Sequence, residues 1–214
     1  MAGAFGVAAA LALTGSAQAN LLVDPGYENG AAEQPNPIPV PGGANGGWAV
    51  FNGATYANAA AETGSWGLEC TEAPGQAWNY EASYQLTSVT PDDMYSMTVD
   101  FKSPTGITEG AGGYVPVLLQ LTYFDSTGTQ IGNANVSQYT PTSSWQTGGV
   151  LDTLAPSGAA YVGSYIGFME DGSQTGTDVC YFDNVSLVQV PEPATIALLG
   201  MGLAFPLYLI RRRK

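Results

Sequence analysis

Over much of its length the chain alternates apolar and polar positions with a period of two. Tyr95, Met97, Val99 and Phe101 are separated by Ser96, Thr98 and Asp100, and Val115, Val117, Leu119, Leu121 and Tyr123 follow the same rule. Successive side chains of a strand point to opposite faces, so this pattern predicts half-buried strands. Shorter apolar stretches predict further strands at 20–23, at Trp48 to Phe51, at 64–70 and at Tyr84 to Val89. Trp145, Val150 and Leu154, then Tyr161 to Phe168 and Val179 to Val188, complete the series. Turn chemistry separates them: Pro91-Asp92-Asp93, Asp125-Ser126-Thr127-Gly128, and a Gly/Asp-rich loop from Glu170 to Asp178. Residues 31–47, rich in Pro, Gly, Asn and Ala, predict a long surface loop. No stretch between these ends carries a 3.6-residue apolar period. The expected fold is therefore all-β, an antiparallel sandwich of about eight strands.

Both ends break the pattern. Residues 1–19 are small and apolar, with a core from Phe5 to Leu13 and Ala17-Gln18-Ala19 before Asn20. That is the form of a secretory signal peptide, although it lacks a basic leading region. At the other end, Ala194 to Ile210 is apolar and uncharged and is followed by Arg211-Arg212-Arg213-Lys214. Its 17 residues would span about 26 Å as a helix, the short end of what crosses a bilayer. A buried core helix is the alternative, but four consecutive cations after the run favour a membrane helix with its basic end in the cytoplasm. The expected organisation is a signal peptide at 1–19, one β-sandwich domain at 20–189, and a tail at 190–214.

Pro191-Glu192-Pro193, an apolar segment and then Arg211, Arg212, Arg213 and Lys214 resemble the PEP-CTERM sorting tail of bacterial surface proteins. The resemblance covers about 25 residues. It implies recognition by a membrane-embedded exosortase, which cleaves near the Pro-Glu-Pro and releases or re-anchors the protein outside the cell. The alternative is a stiff extended Pro linker before an ordinary anchor.

Charge sharpens the picture. Of the 18 acidic residues only Glu192 lies in the tail, and of the five basic residues only Lys102 lies outside it, so residues 20–190 carry 17 acids, one base and a net charge of −16. Such a surface gains nothing from counterion release, which makes nucleic acid and anionic lipid poor partners. The chain has no histidine, which removes Ser-His-Asp and Cys-His catalysis and the commonest zinc ligand. Its two cysteines, Cys70 and Cys180, both lie in the exported part. A disulfide is the default for an oxidising compartment, with two free thiols as the alternative.

A second resemblance spans residues 20–188. Asn20-Leu21-Leu22-Val23-Asp24-Pro25-Gly26-Tyr27-Glu28, Gly64-Ser65-Trp66-Gly67-Leu68, and the strand ending Tyr123-Phe124-Asp125-Ser126-Thr127-Gly128 are followed by Trp145-Gln146 and Ala155-Pro156-Ser157-Gly158-Ala159. The closing Tyr181-Phe182-Asp183-Asn184-Val185-Ser186-Leu187 completes a series similar, in order, to the galactose-binding-like jelly rolls that include many carbohydrate-binding modules. The resemblance implies a jelly roll of eight or nine strands, often binding sugars and usually without catalytic activity.

It also implies sites. Trp48, Trp66 and Trp145 match the family's core aromatics, whereas Trp78 and Tyr80 fall in a loop. Those two rings are the expected sugar platform, with Asn79 and Gln76 as hydrogen-bonding neighbours; the alternative is that Trp78 caps one end of the sandwich. First and last strands of the family lie side by side and often clamp a structural calcium. The matching ligands are Glu28 and Asp183, with Asp24 a further candidate, against the alternative that they are solvated turn residues. The strands carrying Cys70 and Cys180 are neighbours in the family, so a bridge there would staple the sandwich. Glu69, Glu72 and Glu81 form the nearest approach to a glycosidase carboxylate pair, but no motif accompanies them and no enzyme is expected. The functional expectation is a non-catalytic surface or matrix protein that binds polysaccharide; the alternative is a structural protein that assembles with copies of itself.

Overall fold

The computed structural model describes residues 18–30, 47–75, 80–107, 117–173 and 175–191. The alternating segments form ten strands: β1 (Ala49–Phe51), β2 (Thr55–Ala57), β3 (Gly67–Glu72), β4 (Glu81–Ser88), β5 (Met94–Lys102), β6 (Val117–Phe124), β7 (Gln130–Tyr139), β8 (Gln146–Leu154), β9 (Tyr161–Phe168) and β10 (Asp178–Val190). They pair in two five-stranded sheets. Sheet A has the order β1-β4-β9-β6-β7 and sheet B the order β2-β3-β10-β5-β8. Every pairing is antiparallel. The architecture is the all-β two-sheet sandwich that the period-two pattern predicts.

β7 and β2 are among the strands that depart from that pattern. β7 reads Gln-Ile-Gly-Asn-Ala-Asn-Val-Ser-Gln-Tyr and lies at the edge of sheet A, where exposure removes the need for an apolar face. β2 is three residues long and pairs only with β3. Residues 20–23, expected as a strand, instead run irregularly along β10. Leu21 N–H donates to the Leu187 carbonyl (2.9 Å), and Val185 N–H donates to the Pro25 carbonyl (2.8 Å). The Asn20 side chain bridges Val185 O (2.7 Å) and Leu187 N–H (3.0 Å). Asp24 and Tyr27 adopt positive φ values (50° and 57°), which no regular strand allows.

The core lies between the sheets. Leu119, Leu121, Tyr123, Val162, Ile166 and Phe168 of sheet A meet Tyr95, Met97, Val99, Phe101, Phe182 and Leu187 of sheet B, all buried. Burying each such side chain contributes about 1.5–3 kcal/mol. A bulge between Asp183 and Ser186 adds a residue to β10, with Asn184 at φ 51°. Inward positions therefore change parity, from Cys180 and Phe182 to Val185 and Leu187. Without that bulge the second half of the strand would turn its apolar residues to water.

Candidate functional site

Sheet A presents an outward face built from rings and small residues. Register places Ala49, Tyr84, Tyr165, Gln120 and Val136 in one row across all five strands. The next row holds Phe51, Ala82, Gly167, Leu118 and Gln138. Tyr84 and Tyr165 stack with centroids 5.3 Å apart and planes 16° apart. Phe51 touches Tyr84 (6.1 Å) and, edge-on, Tyr80 (5.9 Å). Glycine makes room for these rings. A Cβ on Gly163 would stand 2.6 Å from the Tyr165 ring, and one on Gly167 would stand 2.5 Å from Tyr80. Both tyrosine rings thus lie down on bare backbone, and both are half-buried.

The polar groups on this face are neutral. Gln120 Nε2 donates to Thr122 Oγ1 (2.7 Å) on the same side of β6, and Gln138 stands exposed on β7. Burial pushes the Tyr84 and Tyr165 phenols up, each closing off the other's solvent, so both stay protonated and able to donate. Across the five strands of sheet A the one charged residue is Glu81. Its carboxylate turns inward and accepts Thr71 N–H of sheet B (2.6 Å).

Sheet B's outward face is different in kind. Glu69, Tyr181 and Lys102 form one cross-strand row. The Lys102 ammonium sits 4.5 Å from the Trp145 ring centroid and 5.8 Å from that of Tyr181. Asp100 accepts a hydrogen bond from Thr147 (2.5 Å), and Ser96 donates to Asp152 (3.1 Å).

Of the expected sugar platform, Tyr80 is half-buried beside the sheet A face, its hydroxyl donating to Leu118 O (3.3 Å). Gln76, Trp78 and Asn79 lie outside the described residues. Trp48 is core, as the resemblance implies. Trp66 and Trp145 are not. Each is only half-buried, Trp66 against Gly30 and Trp145 beneath Lys102, because both precede their strands and escape the inward alternation. The rings that reasoning from the pattern missed are Tyr84 and Tyr165. Their signal was the outward series Tyr161, Gly163, Tyr165, Gly167, in which glycine brackets an aromatic on one face.

Glu28 and Asp183 do come together. A Cβ on Gly26 would lie 3.6 Å from Asp183 Oδ1 and 3.9 Å from Glu28 Oε1. Asp183 accepts N–H groups of Glu62 (2.8 Å), Thr63 (2.9 Å) and Asn184 (2.7 Å), while Glu28 accepts Ser65 N–H (2.9 Å). Burial raises the Asp183 pKa against these donors, and the neighbouring Glu28 charge adds to the rise. Asp24 is committed elsewhere, accepting Glu28 N–H (2.7 Å) and Asn29 N–H (3.0 Å) in its own turn. Among the described residues no three Asp, Glu, Cys or His side chains gather closely enough to hold a metal. Cys70 and Cys180 face each other in register, both buried, and their sulfurs are unbonded. Cys70 Sγ donates instead to Glu81 O (3.3 Å). Glu72 and Glu81 are buried inside one end of the sandwich, and Glu69 is half-buried on β3.

Comparison with known proteins adds two findings. Residues 189–214 match the PEP-CTERM protein-sorting motif. Among solved structures, the chain is similar to a family 16 carbohydrate binding module, at 19% identity and TM-score 0.52, over 79% of this chain and 99% of that one. It is also similar to the enzymatically active domain of tailspike protein 4 of bacteriophage CBA120, at 10% identity and TM-score 0.54, over 80% of this chain and 21% of that one. Likenesses at these identities establish the fold. No curated protein matches the sequence.

The PEP-CTERM motif begins within the last strand. Gln189 and Val190 still pair with Tyr95 and Met94, and Pro191 follows directly, exposed. Glu192, Pro193 and the basic cluster Arg211, Arg212, Arg213 and Lys214 lie outside the described residues, as do the expected membrane helix and residues 1–17 of the signal peptide. No helix among the described residues is long and apolar enough to cross a membrane.

Proposed function

We propose that this is an exported, non-catalytic surface or matrix protein that binds neutral polysaccharide along the outward face of sheet A. One observation carries the reading: Tyr84 stacks on Tyr165, whose ring lies over Gly163, in the middle of a sheet face with no charge. The apolar side of a pyranose packs on such rings, and an uncharged bed imposes no cost for burying a carboxylate or ammonium under the sugar. Gln120, Gln138 and the two phenols supply donors and acceptors for hydroxyl groups at the rim. Similarity to a carbohydrate binding module supports the class of ligand by analogy of fold. In this reading the PEP-CTERM tail is processed by an exosortase-type membrane enzyme, which sets the place of action at or outside the cell surface. Affinity electrophoresis against a panel of neutral and acidic polysaccharides tests it. Retardation by a neutral glycan, lost in Tyr165→Ala, is the expected result; a folded protein that ignores every glycan removes the reading.

Self-association has an observation of its own. The edge strands β7 and β8 expose Val136 (47%), Leu151 (63%) and Leu154 (58%). Sedimentation of wild type and Leu151→Lys at increasing concentration separates assembly from glycan binding. We further propose that calcium joins Glu28 to Asp183, since the two carboxylates meet beside Gly26, where a shared cation would offset their like charge.

A further inference from the structure

Four acids are buried together where β3 ends and β10 begins. Glu72 closes β3 and is the cross-strand partner of Asp178, which opens β10. Glu81 opens β4, and Glu170 lies just past β9. Their exposures are 0% for Glu72, 1% for Asp178, 3% for Glu81 and 6% for Glu170. Glu81 is held by Thr71 N–H. Both carboxyl oxygens of Glu72 and both of Glu170 have no hydrogen-bond partner among the described residues.

The surroundings make this unfavourable for an anion. Glu72 faces Glu81, and Glu170 faces Asp178, Glu72 and Asp171. The thiols of Cys70 and Cys180 line the same region, Cys70 near Glu72 and Cys180 near Glu170. No cation is among these groups: Lys102, the one base in residues 20–190, is engaged with Trp145 and Tyr181. A carboxylate buried without donor or counter-charge must be neutralised. A metal ion would serve, but the described acids and thiols do not gather around one point. The proton remains.

We propose that Glu72 and Glu170 are kept as neutral carboxylic acids and form a proton-dependent latch that holds residues 169–173 against the ends of β3 and β10. A neutral Glu170 can donate to Asp178, turning a repulsive acid pair into a hydrogen bond. The loop is joined to its neighbour where Gly75 N–H donates to Gly172 O (3.1 Å). The latch also borders the aromatic face, since Glu81 follows Tyr80 and pairs with Phe168. Burial raises both Glu72 and Glu170 to about 8. A raised carboxyl pKa means that the folded chain holds protons that the unfolded chain has released. Stability is therefore full below the ordinary value of 4.5 and is lost as pH rises toward 8.

Thermal unfolding of the full-length protein between pH 5 and pH 9, without any glycan, tests the latch. Wild type should lose about 5 °C or more across that range, and Glu72→Gln/Glu170→Gln, neutral at every pH, should lose much less. A flat wild-type profile, or a double variant with the wild-type slope, overturns the proposal. If the double variant fails to fold, hydrogen exchange of wild type at pH 6 and pH 9, corrected for intrinsic rates, replaces it. Protection should fall at 170–173 and 175–178 before it falls in β6 and β9; uniform loss contradicts the latch. Neither readout uses a sugar, so latch and binding face stand or fall separately.

Discussion

The two sheets share one interior and differ in what they show to water. Sheet A turns outward Phe51, Tyr84, Tyr165, Leu118 and Gln120, without a charge, whereas sheet B turns outward Glu69, Lys102, Asp100 and Asp152. In a domain with net charge −16 an uncharged sheet face is a departure that solubility does not explain. The interior cannot explain it either, since the core residues of both sheets lie on the opposite side. Recognition is the reading we propose for it: the rings bedded on Gly163 and Gly167 offer a flat, neutral ligand a surface to cover.

The largest expected effect sets the faces directly against each other. Tyr165→Ala or Tyr84→Ala should weaken binding of a neutral glycan about tenfold or more, through the lost stacking surface, while Trp145→Ala on sheet B leaves affinity unchanged in calorimetric titration. Equal losses from both would dissolve the distinction. The calcium site we propose gives the next effect and lies on sheet B, through Asp183. Saturating calcium should raise Tm by about 5–10 °C relative to chelated protein, and Asp183→Asn should abolish that shift without altering glycan affinity at low temperature. The cysteines, also in sheet B, come third. We expect Cys70 and Cys180 to close into a bridge after export, given their register. Non-reducing mass spectrometry should then find the protein two hydrogens lighter, and thiol labelling of the unfolded chain should fail; full labelling would leave two buried free thiols. The smallest effect is expected from Lys102→Ala. A half-buried ammonium on two rings contributes about 1 kcal/mol, so Tm should move by only a few degrees and glycan binding not at all.

Legibility from the sequence followed the inward faces. Tyr95 to Phe101 and Leu119 to Tyr123 announce their strands because burial on one side imposes the alternation. β7 announced nothing, because an edge strand in water is under no such demand. The aromatic platform was hidden for the opposite reason: in β9 both faces are apolar or small, so Tyr165 reads as one more core ring until register shows which side it takes. Glu72 and Glu170 look like members of an acidic, solvated surface. Only the meeting of strand ends distant in sequence buries them, and no local pattern encodes that.

The most direct test of the central claim is a backbone amide chemical-shift map of the folded protein titrated with a neutral oligosaccharide that it binds. Saturable shifts are expected at Tyr84, Tyr165, Gln120 and Leu118, with Glu69, Lys102 and Tyr181 silent. Shifts confined to sheet B, or to the loops alone, would contradict it.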